Sequence, residues 1–317
     1  MAKYIVRRLL LGILTFFGIT VIVFFMSYLA PGSPLDYLLA DPTISAEELT
    51  RRAAQLGLDR PVYVQYFSWL GQLLQGNLGF SYRTYRSVSE MIGERLGNTL
   101  LLTFSSLFLA YLVAIPIGIH SARKPYSTSD FVSAAGALIV MALPGFFVGM
   151  FFIYLFSAKL GWLPMSGMYS SNASRSVADL LSHLVMPAVC LAMQQIGNVM
   201  RQMRSSMLEV LSEDYIRTAR SEGLSERRVV YTHALRNALT PMVTLFGSSL
   251  PFLVGGAVVT EQVFSWPGIG GLMVSSITTR DYPVIIGITV VVAVAVLVGN
   301  LLVDITYGIL DPKVRYS

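Results

Sequence analysis

Six long apolar runs divided by polar segments set the plan of this chain: residues 9–30, 99–119, 131–156, 183–199, 242–263 and 284–305. A helix needs roughly 20 apolar residues to cross a hydrocarbon core of about 30 Å. In lipid, backbone N–H and C=O groups must be satisfied internally, which leaves helices or closed barrels. The pattern therefore predicts an all-α membrane protein with six transmembrane helices. The widest gap, residues 31–98, is polar. Within it, Ser45 with Glu47 and Glu48 opens one short helix that Gly57 ends, and Asp59-Arg60-Pro61 opens another. On the second, Val62, Tyr66, Trp69, Leu70 and Leu73 share a face. That face is expected to pack on the protein or lie in the headgroup layer, where Trp and Tyr are favoured.

The segment between the fourth and fifth runs is the most polar long stretch of the chain. It carries seven arginines: Arg201, Arg204, Arg217, Arg220, Arg227, Arg228 and Arg236. Local signals predict a helix over 213–222, with Glu213 and Asp214 in its first turn, where the helix dipole favours acids. Gly223 stops it, because glycine accepts the left-handed conformation just beyond a helix end. Ser225 caps a second helix with Glu226 at its start, running through Arg236 toward Thr240 and Pro241. Tyr215, Ile216 and Ala219 form an apolar stripe on the first helix, and Val230, Ala234, Leu235 and Ala238 one on the second.

Composition agrees with the pattern. Hydrophobic residues make up 54% of 317 and charged residues 13%, and the mean hydropathy is +0.62. A soluble domain carries about 25% charged residues, so most of this surface faces lipid. The net charge of +5 is no nucleic-acid signal, because the bases cluster at the ends of the apolar runs. Their distribution orients the chain. Lys3, Arg7, Arg8, Arg123, Lys124, the seven loop arginines, Lys313 and Arg315 fall on one side, against Lys159, Arg175 and Arg280 in the two short loops of the other. Positive charge stays inside, which places both termini in the cytoplasm and 31–98 outside. The first run is about twice a typical signal-peptide core, and Leu29-Ala30-Pro31 is a poor cleavage site, so it is read as a retained span.

Several prolines interrupt the runs: Pro116, Pro144 before Gly145, Pro187, and Pro251 before Gly255-Gly256. Each removes a backbone donor, which suits either helices lining a pathway or ordinary kinks. Glu261 and Asp304 lie near run ends, where a capping or snorkelling acid is expected. No G-x-x-x-x-G-K-[ST] occurs and none of the four lysines follows a glycine, so the chain has no phosphate-cradling loop. H-E-x-x-H and G-x-S-x-G are absent, and His120, His183 and His233 are far apart. No residues support an enzyme, a metal site or a cofactor. Cys190, the one cysteine, excludes an intramolecular disulfide.

YIRTARSEGLSERRVVYTHALRNAL, at 215–239, resembles the cytoplasmic coupling loop of ABC-importer permeases in the dipeptide, oligopeptide and nickel family. Thr218-Ala219-Arg220 stands where the general family pattern has Glu-Ala-Ala, and Gly223 keeps the glycine. LGLDRPVYVQYFSWLGQLLQGNLGFS, EQVFSWPGIGGLM, RDYP and VDITYGILDPKVRY resemble the same family, so the likeness runs from residue 3 to 316. It implies a type I ABC-importer permease fold with an external insert after the first helix. The expected segments are 1–30 for the first span, 31–95 for the insert, 96–308 for the permease core with its coupling loop at 201–241, and 309–317 for a cytoplasmic tail.

The resemblance implies that Glu213, Tyr215, Ile216, Ala219, Arg220, Gly223, Leu224, Arg227, Arg228, His233, Arg236, Asn237 and Pro241 serve ATPase coupling. Among them, Tyr215, Ile216, Ala219, Gly223 and Leu224 would form the docking knob. Trp266, Pro267 and Gly268 would form an external turn with a short re-entrant segment after it, and Asp311-Pro312 would end the last helix. Implied partners are a second homologous permease, two ABC ATPase subunits, an extracytoplasmic solute-binding protein and membrane lipid, in a bacterial or archaeal cell membrane. Two rival classes stay open. An ion-coupled secondary transporter is expected to bury carboxylates at the bilayer midplane, and its uptake would survive loss of ATP. A membrane receptor or scaffold would bind a ligand on 31–98 in isolation.

Overall fold

The computed structural model describes residues 2–29, 59–171, 175–249 and 257–310, with isolated positions at 47, 51 and 54. The described elements are helical. Helix α1 (Ala2–Leu29) is followed by α2 (Val62–Leu74), α3 (Val88–Arg123), α4 (Thr128–Ala142) and α5 (Gly145–Phe152), which continues as a π-helical turn over Ile153–Lys159. Next come α6 (Val177–Leu211), α7 (Asp214–Ser221) and a rod over 226–238 that we term α8. The rod joins Glu226–Arg228, a π-helical stretch Val229–Ala234, and Leu235–Ala238. Helices α9 (Thr240–Ser248), α10 (Val258–Val263), α11 (Ile269–Thr278) and α12 (Tyr282–Leu310) complete the chain.

The centre of the fold is the pair α3 and α6, of 36 and 35 residues, or about 54 and 52 Å at 1.5 Å per residue. They run in the same direction. Leu102 shares a cluster with Leu184, Ala188 and Leu191, while Gly118 lies on Met200 and Met203 further along. The crossing is close: a Cβ on Gly118 would lie 2.8 Å from Met203 Cβ and 2.9 Å from the Met200 carbonyl oxygen. Only glycine permits such an approach. Around this pair, α1 lies against α12 with an Arg8–Asp304 ion pair at 3.0 Å, so Asp304 is a paired acid. Helix α2 starts just after Pro61 and lays Tyr66 and Trp69 against Phe24 of α1, with ring centroids at 5.4 and 5.7 Å. Its apolar face therefore packs on the protein.

Among the described residues, four helical stretches are long and apolar enough to cross a membrane: Val6–Leu29, Val88–Arg123, Val177–Leu211 and Tyr282–Asp304. Helices α4 and α5 would make a fifth as a broken span, bent by 96°. The break falls at Pro144-Gly145, where an interruption of the run over 131–156 was expected. Leu143 precedes proline and takes φ −80°, ψ 128°, outside the helical region that pre-proline residues avoid. Pro116 and Pro187, by contrast, sit inside continuous helices. The fourth run also ends later than expected. Helix α6 reaches Leu211, so Arg201 and Arg204 are helical residues and not loop residues. The reason is a second pattern beneath the charges: Met200, Met203 and Met207 are buried along one face. The fifth run holds α9 and α10, with 250–256 between them outside the described residues. Pro251, Gly255-Gly256, the helix expected from Ser45 to Gly57, apart from its isolated positions, and Asp311-Pro312 with the tail fall outside them too.

Candidate coupling surface

Helices α7 and α8 form an elbow under the arginine-rich end of α3 and α6. Glu213 occupies the N-cap position of α7, and the helix stops at Gly223, whose φ of +79° is the left-handed value expected there. Ser225 is the N-cap residue of α8, although its side chain makes no capping hydrogen bond. Two contacts brace the turn. Arg220 spans it to Glu226, with Nη2 donating to Oε1 at 2.8 Å. Asn237 Nδ2 donates to the Tyr215 hydroxyl at 2.7 Å, tying α8 back to α7.

The apolar stripes turn inward. Ile216, Val229, Ala234 and Ala238 are fully buried, and Ala219 and Val230 nearly so. They join Met200, Met203 and Met207 of α6 and Ala114, Ile119 and Ala122 of α3 in one cluster. Burying a side chain such as Ile216 contributes roughly 1.5–3 kcal/mol. Ile216 and Ala219 thus lie in the cluster that the elbow shares with the long helices, and of the residues expected to form the docking knob these two are buried. Leu224 is half-buried on the same cluster; His233 and Pro241, the latter in the first turn of α9, are half-buried as well. The outward face carries Tyr215, Arg217, Gly223, Arg227, Arg228, Tyr231 and Arg236, and with them the exposed Glu213, Asp214, Arg220, Glu222, Glu226 and Asn237. Tyr231 was not singled out from sequence, where its place on α8 looked unremarkable; it is half exposed (49%).

One further junction holds this end together. The carboxylate of Asp130, in the first turn of α4, accepts two hydrogen bonds of 2.7 Å from Arg204 Nε and Nη2. It also accepts from Ser121 Oγ of α3 and from the Tyr126 amide. Asp130 is buried, so a single carboxylate binds three helices and the loop between two of them. Sequence reasoning missed this junction; Ser127, three residues before Asp130, caps α4, its Oγ accepting from the Asp130 amide.

At the opposite end, Trp266-Pro267-Gly268 forms a turn wrapped round Glu261. The Trp266 indole N–H donates to the Asn98 carbonyl at 2.9 Å, and Asn98 Nδ2 donates to the Pro267 carbonyl at 2.9 Å. Glu261 is 1% exposed; its Oε1 accepts from Thr99 Oγ1 at 2.7 Å and its Oε2 from the Gly271 amide at 3.1 Å. Thr99 in turn accepts from the Ile269 amide at 2.8 Å. The acid therefore caps the N-terminus of α11, where orphan amides and the helix dipole favour a carboxylate. A Cβ on Gly268 would run into that carboxylate. Asp281, buried before α12, accepts from Ser81 Oγ and, at 3.0 Å, from the Tyr82 amide. Neither long-range tie has a local sequence signature.

Among the described residues there is no cluster of His, Cys, Asp or Glu fit for a metal ion. What the elbow offers is an exposed surface bearing arginines, acids and tyrosines, joined to two long spans through one buried cluster. Two family models match the chain. Residues 114–316 match the binding-protein-dependent transport system inner membrane component, and residues 1–103 match the N-terminal region of such membrane components. The chain belongs to this family of transport-system inner membrane components. Among its relatives, the oligopeptide transport system permease protein AppB of Bacillus subtilis is 45% identical over the full length of both chains. The dipeptide transport system permease protein DppB of Escherichia coli K12 is 36% identical, again over all of both chains. The glutathione transport system permease protein GsiC of Salmonella choleraesuis is 40% identical over the same extent. A solved structure of the MetNI methionine ABC transporter in inward-facing conformations shares the fold. Its TM-score is 0.52 at 18% identity, covering 67% of this chain and 94% of that one. The chain is thus a multi-pass membrane protein of the binding-protein-dependent transport family with an ABC-importer permease fold.

Proposed function

We propose that this chain is one permease subunit of an ATP-driven importer for di- and oligopeptides, forming half of the passage. The carrying observation is the elbow of α7 and α8, whose buried stripe shares one cluster with α3 and α6 while its arginine- and tyrosine-bearing face stays exposed. A surface so built transmits displacement from a docked partner to the spans. Its partners are two ATPase subunits against the elbow, a second permease beside the spans and a solute-binding protein at the Trp266 end, with both termini cytoplasmic. ATP moves the equilibrium between inward- and outward-open states through its different affinity for the two, since equal affinity shifts nothing. Three of the family relatives named above are named for oligopeptide, dipeptide and glutathione transport, which supports the peptide class.

The test is purification of the tagged chain from membranes, followed by reconstitution into vesicles. The expected result is co-purifying ATPase subunits and peptide uptake that requires ATP. Uptake that persists without ATP while a proton gradient is intact would overturn the reading, as would labelling of a Gly223→Cys variant from the outside of intact cells.

A further inference from the structure

The exposed faces of the spans differ in kind. On α12, Val294, Val298 and Leu302 are exposed, and on α1, Leu10, Leu14 and Ile22 are; these are surfaces made for lipid. On α6, the exposed ridge reads Gln194, Asn198, Arg201, Ser205 and Glu209, spaced by three or four residues. Arg204 marks the level at which the chain turns between α3 and α4, through its bonds to Asp130. At 1.5 Å per residue, Arg201, Asn198 and Gln194 stand about 4.5, 9 and 15 Å further into the span. Gln194 thus lies near the middle of a core of about 30 Å. Polar groups at such depth face a bundle interior or a water-filled cavity.

A second observation lies on the same side. The break between α4 and α5 adjoins α6, and Met141, Ala142, Leu143 and Pro144 are exposed there. The Gln194 amide sits against Gly145, so closely that a Cβ on that glycine would overlap it. Broken backbone at membrane depth is tolerated only when buried in protein or lining water. Broken backbone and polar ridge together mark one wet wall. Arg201 is the positive charge on that wall; the ridge's acid, Glu209, stands about 12 Å further along the helix, away from the span. Arg201 Nη2 donates to Asn198 Oδ1 at 2.8 Å. That bond holds the guanidinium, whose remaining donors match a carboxylate fork.

We propose that Gln194, Asn198 and the Leu143–Gly145 break form this subunit's wall of the solute passage, and that Arg201, oriented by Asn198, reads the carboxylate of the passing solute. The carboxylate part rests on the peptide reading above, since a peptide brings a free terminal carboxylate to the passage.

The experiment uses the assembled transporter in membrane vesicles. Gln194→Cys and Asn198→Cys are treated with a membrane-impermeant methanethiosulfonate, with the parent chain as control, because its Cys190 is 1% exposed. Labelling of both variants, slowed by substrate, is expected. If neither is labelled in any nucleotide state, a partner or lipid covers the ridge and the wall proposal is overturned. Uptake of a dipeptide and of its C-terminally amidated form is then compared in Arg201→Ala and Arg201→Lys. Arg201→Ala is expected to lose about tenfold or more on the free acid and little on the amide, with partial rescue by lysine. Equal losses on both substrates overturn carboxylate reading. A parent transporter that imports neither peptide refutes the peptide reading itself, and carboxylate reading with it, while the labelling judges the wall independently.

Discussion

Gly223 separates what the chain needs from what a partner needs. Its φ is +79°, yet a Cβ built there meets nothing within 4 Å. Within this chain a larger residue therefore suffers only the left-handed backbone, roughly 1–2 kcal/mol for an L-residue. Set against a folding free energy of about 5–15 kcal/mol, that leaves the protein folded and in the membrane. A partner seated on the turn would meet the new side chain directly. We expect Gly223→Val and Gly223→Asp to abolish uptake and to lose the ATPase on purification, while membrane abundance stays near that of the parent. Gly223→Asn divides the two causes, since asparagine tolerates the left-handed region but still adds a side chain. Near-normal thermal stability with weakened ATPase association is expected for it. Uptake equal to the parent in Gly223→Val, or normal ATPase recovery with Gly223→Asp, would refute docking at this turn.

Arg204→Ala strands the buried Asp130 carboxylate and should cost about 3 kcal/mol, read as a lower unfolding midpoint in detergent. The double variant with Asp130→Ala should be milder than the sum of the singles, and strict additivity would dissolve the proposed junction. Glu261→Ala leaves Thr99 and the Gly271 amide without their acceptor, a loss of about 1–3 kcal/mol. Glu261→Gln keeps an acceptor and should fall between Ala and the parent; a glutamine variant no better than alanine would show that shape, not hydrogen bonding, holds the turn. ATPase co-purification should weaken as salt rises from 0.1 to 1 M, where the screening length falls from about 10 to 3 Å. Retention at high salt would assign the dock to its tyrosines and leave the arginines idle.

Local chemistry was legible in the sequence and pairing across the chain was not. Gly223 announces a turn because glycine acts on its own backbone, and Ser225 marks the N-cap of α8, though its side chain makes no capping bond; the turn at Trp266-Pro267-Gly268 was expected from the family resemblance. The stripe of Ile216 and Ala219 was equally visible, but periodicity tells which residues share a face and not what covers it. They share one buried cluster with Val229, Val230, Met203 and Met207, the methionines coming from a stretch whose arginines disguised it as loop. The Thr99–Glu261 and Ser81–Asp281 ties join residues 162 and 200 positions apart, with nothing at either position to name its partner. Pro116, Pro144 and Pro187 look alike in sequence; only Pro144 breaks its span, in company with a glycine and on an exposed face.

The near-contact of backbones at Gly118 limits how the molecule can move. Two columns about 50 Å tall that touch where Met200 and Met203 seat on a bare glycine have no slip plane between them. On the proposed function, a tug at the elbow would carry both as one body, up to the Thr99 hydroxyl that accepts from the Ile269 amide at the far turn. Whatever flexes when the permease changes state must lie at the margin of that body, and the bend before Gly145 is placed to serve as its pivot.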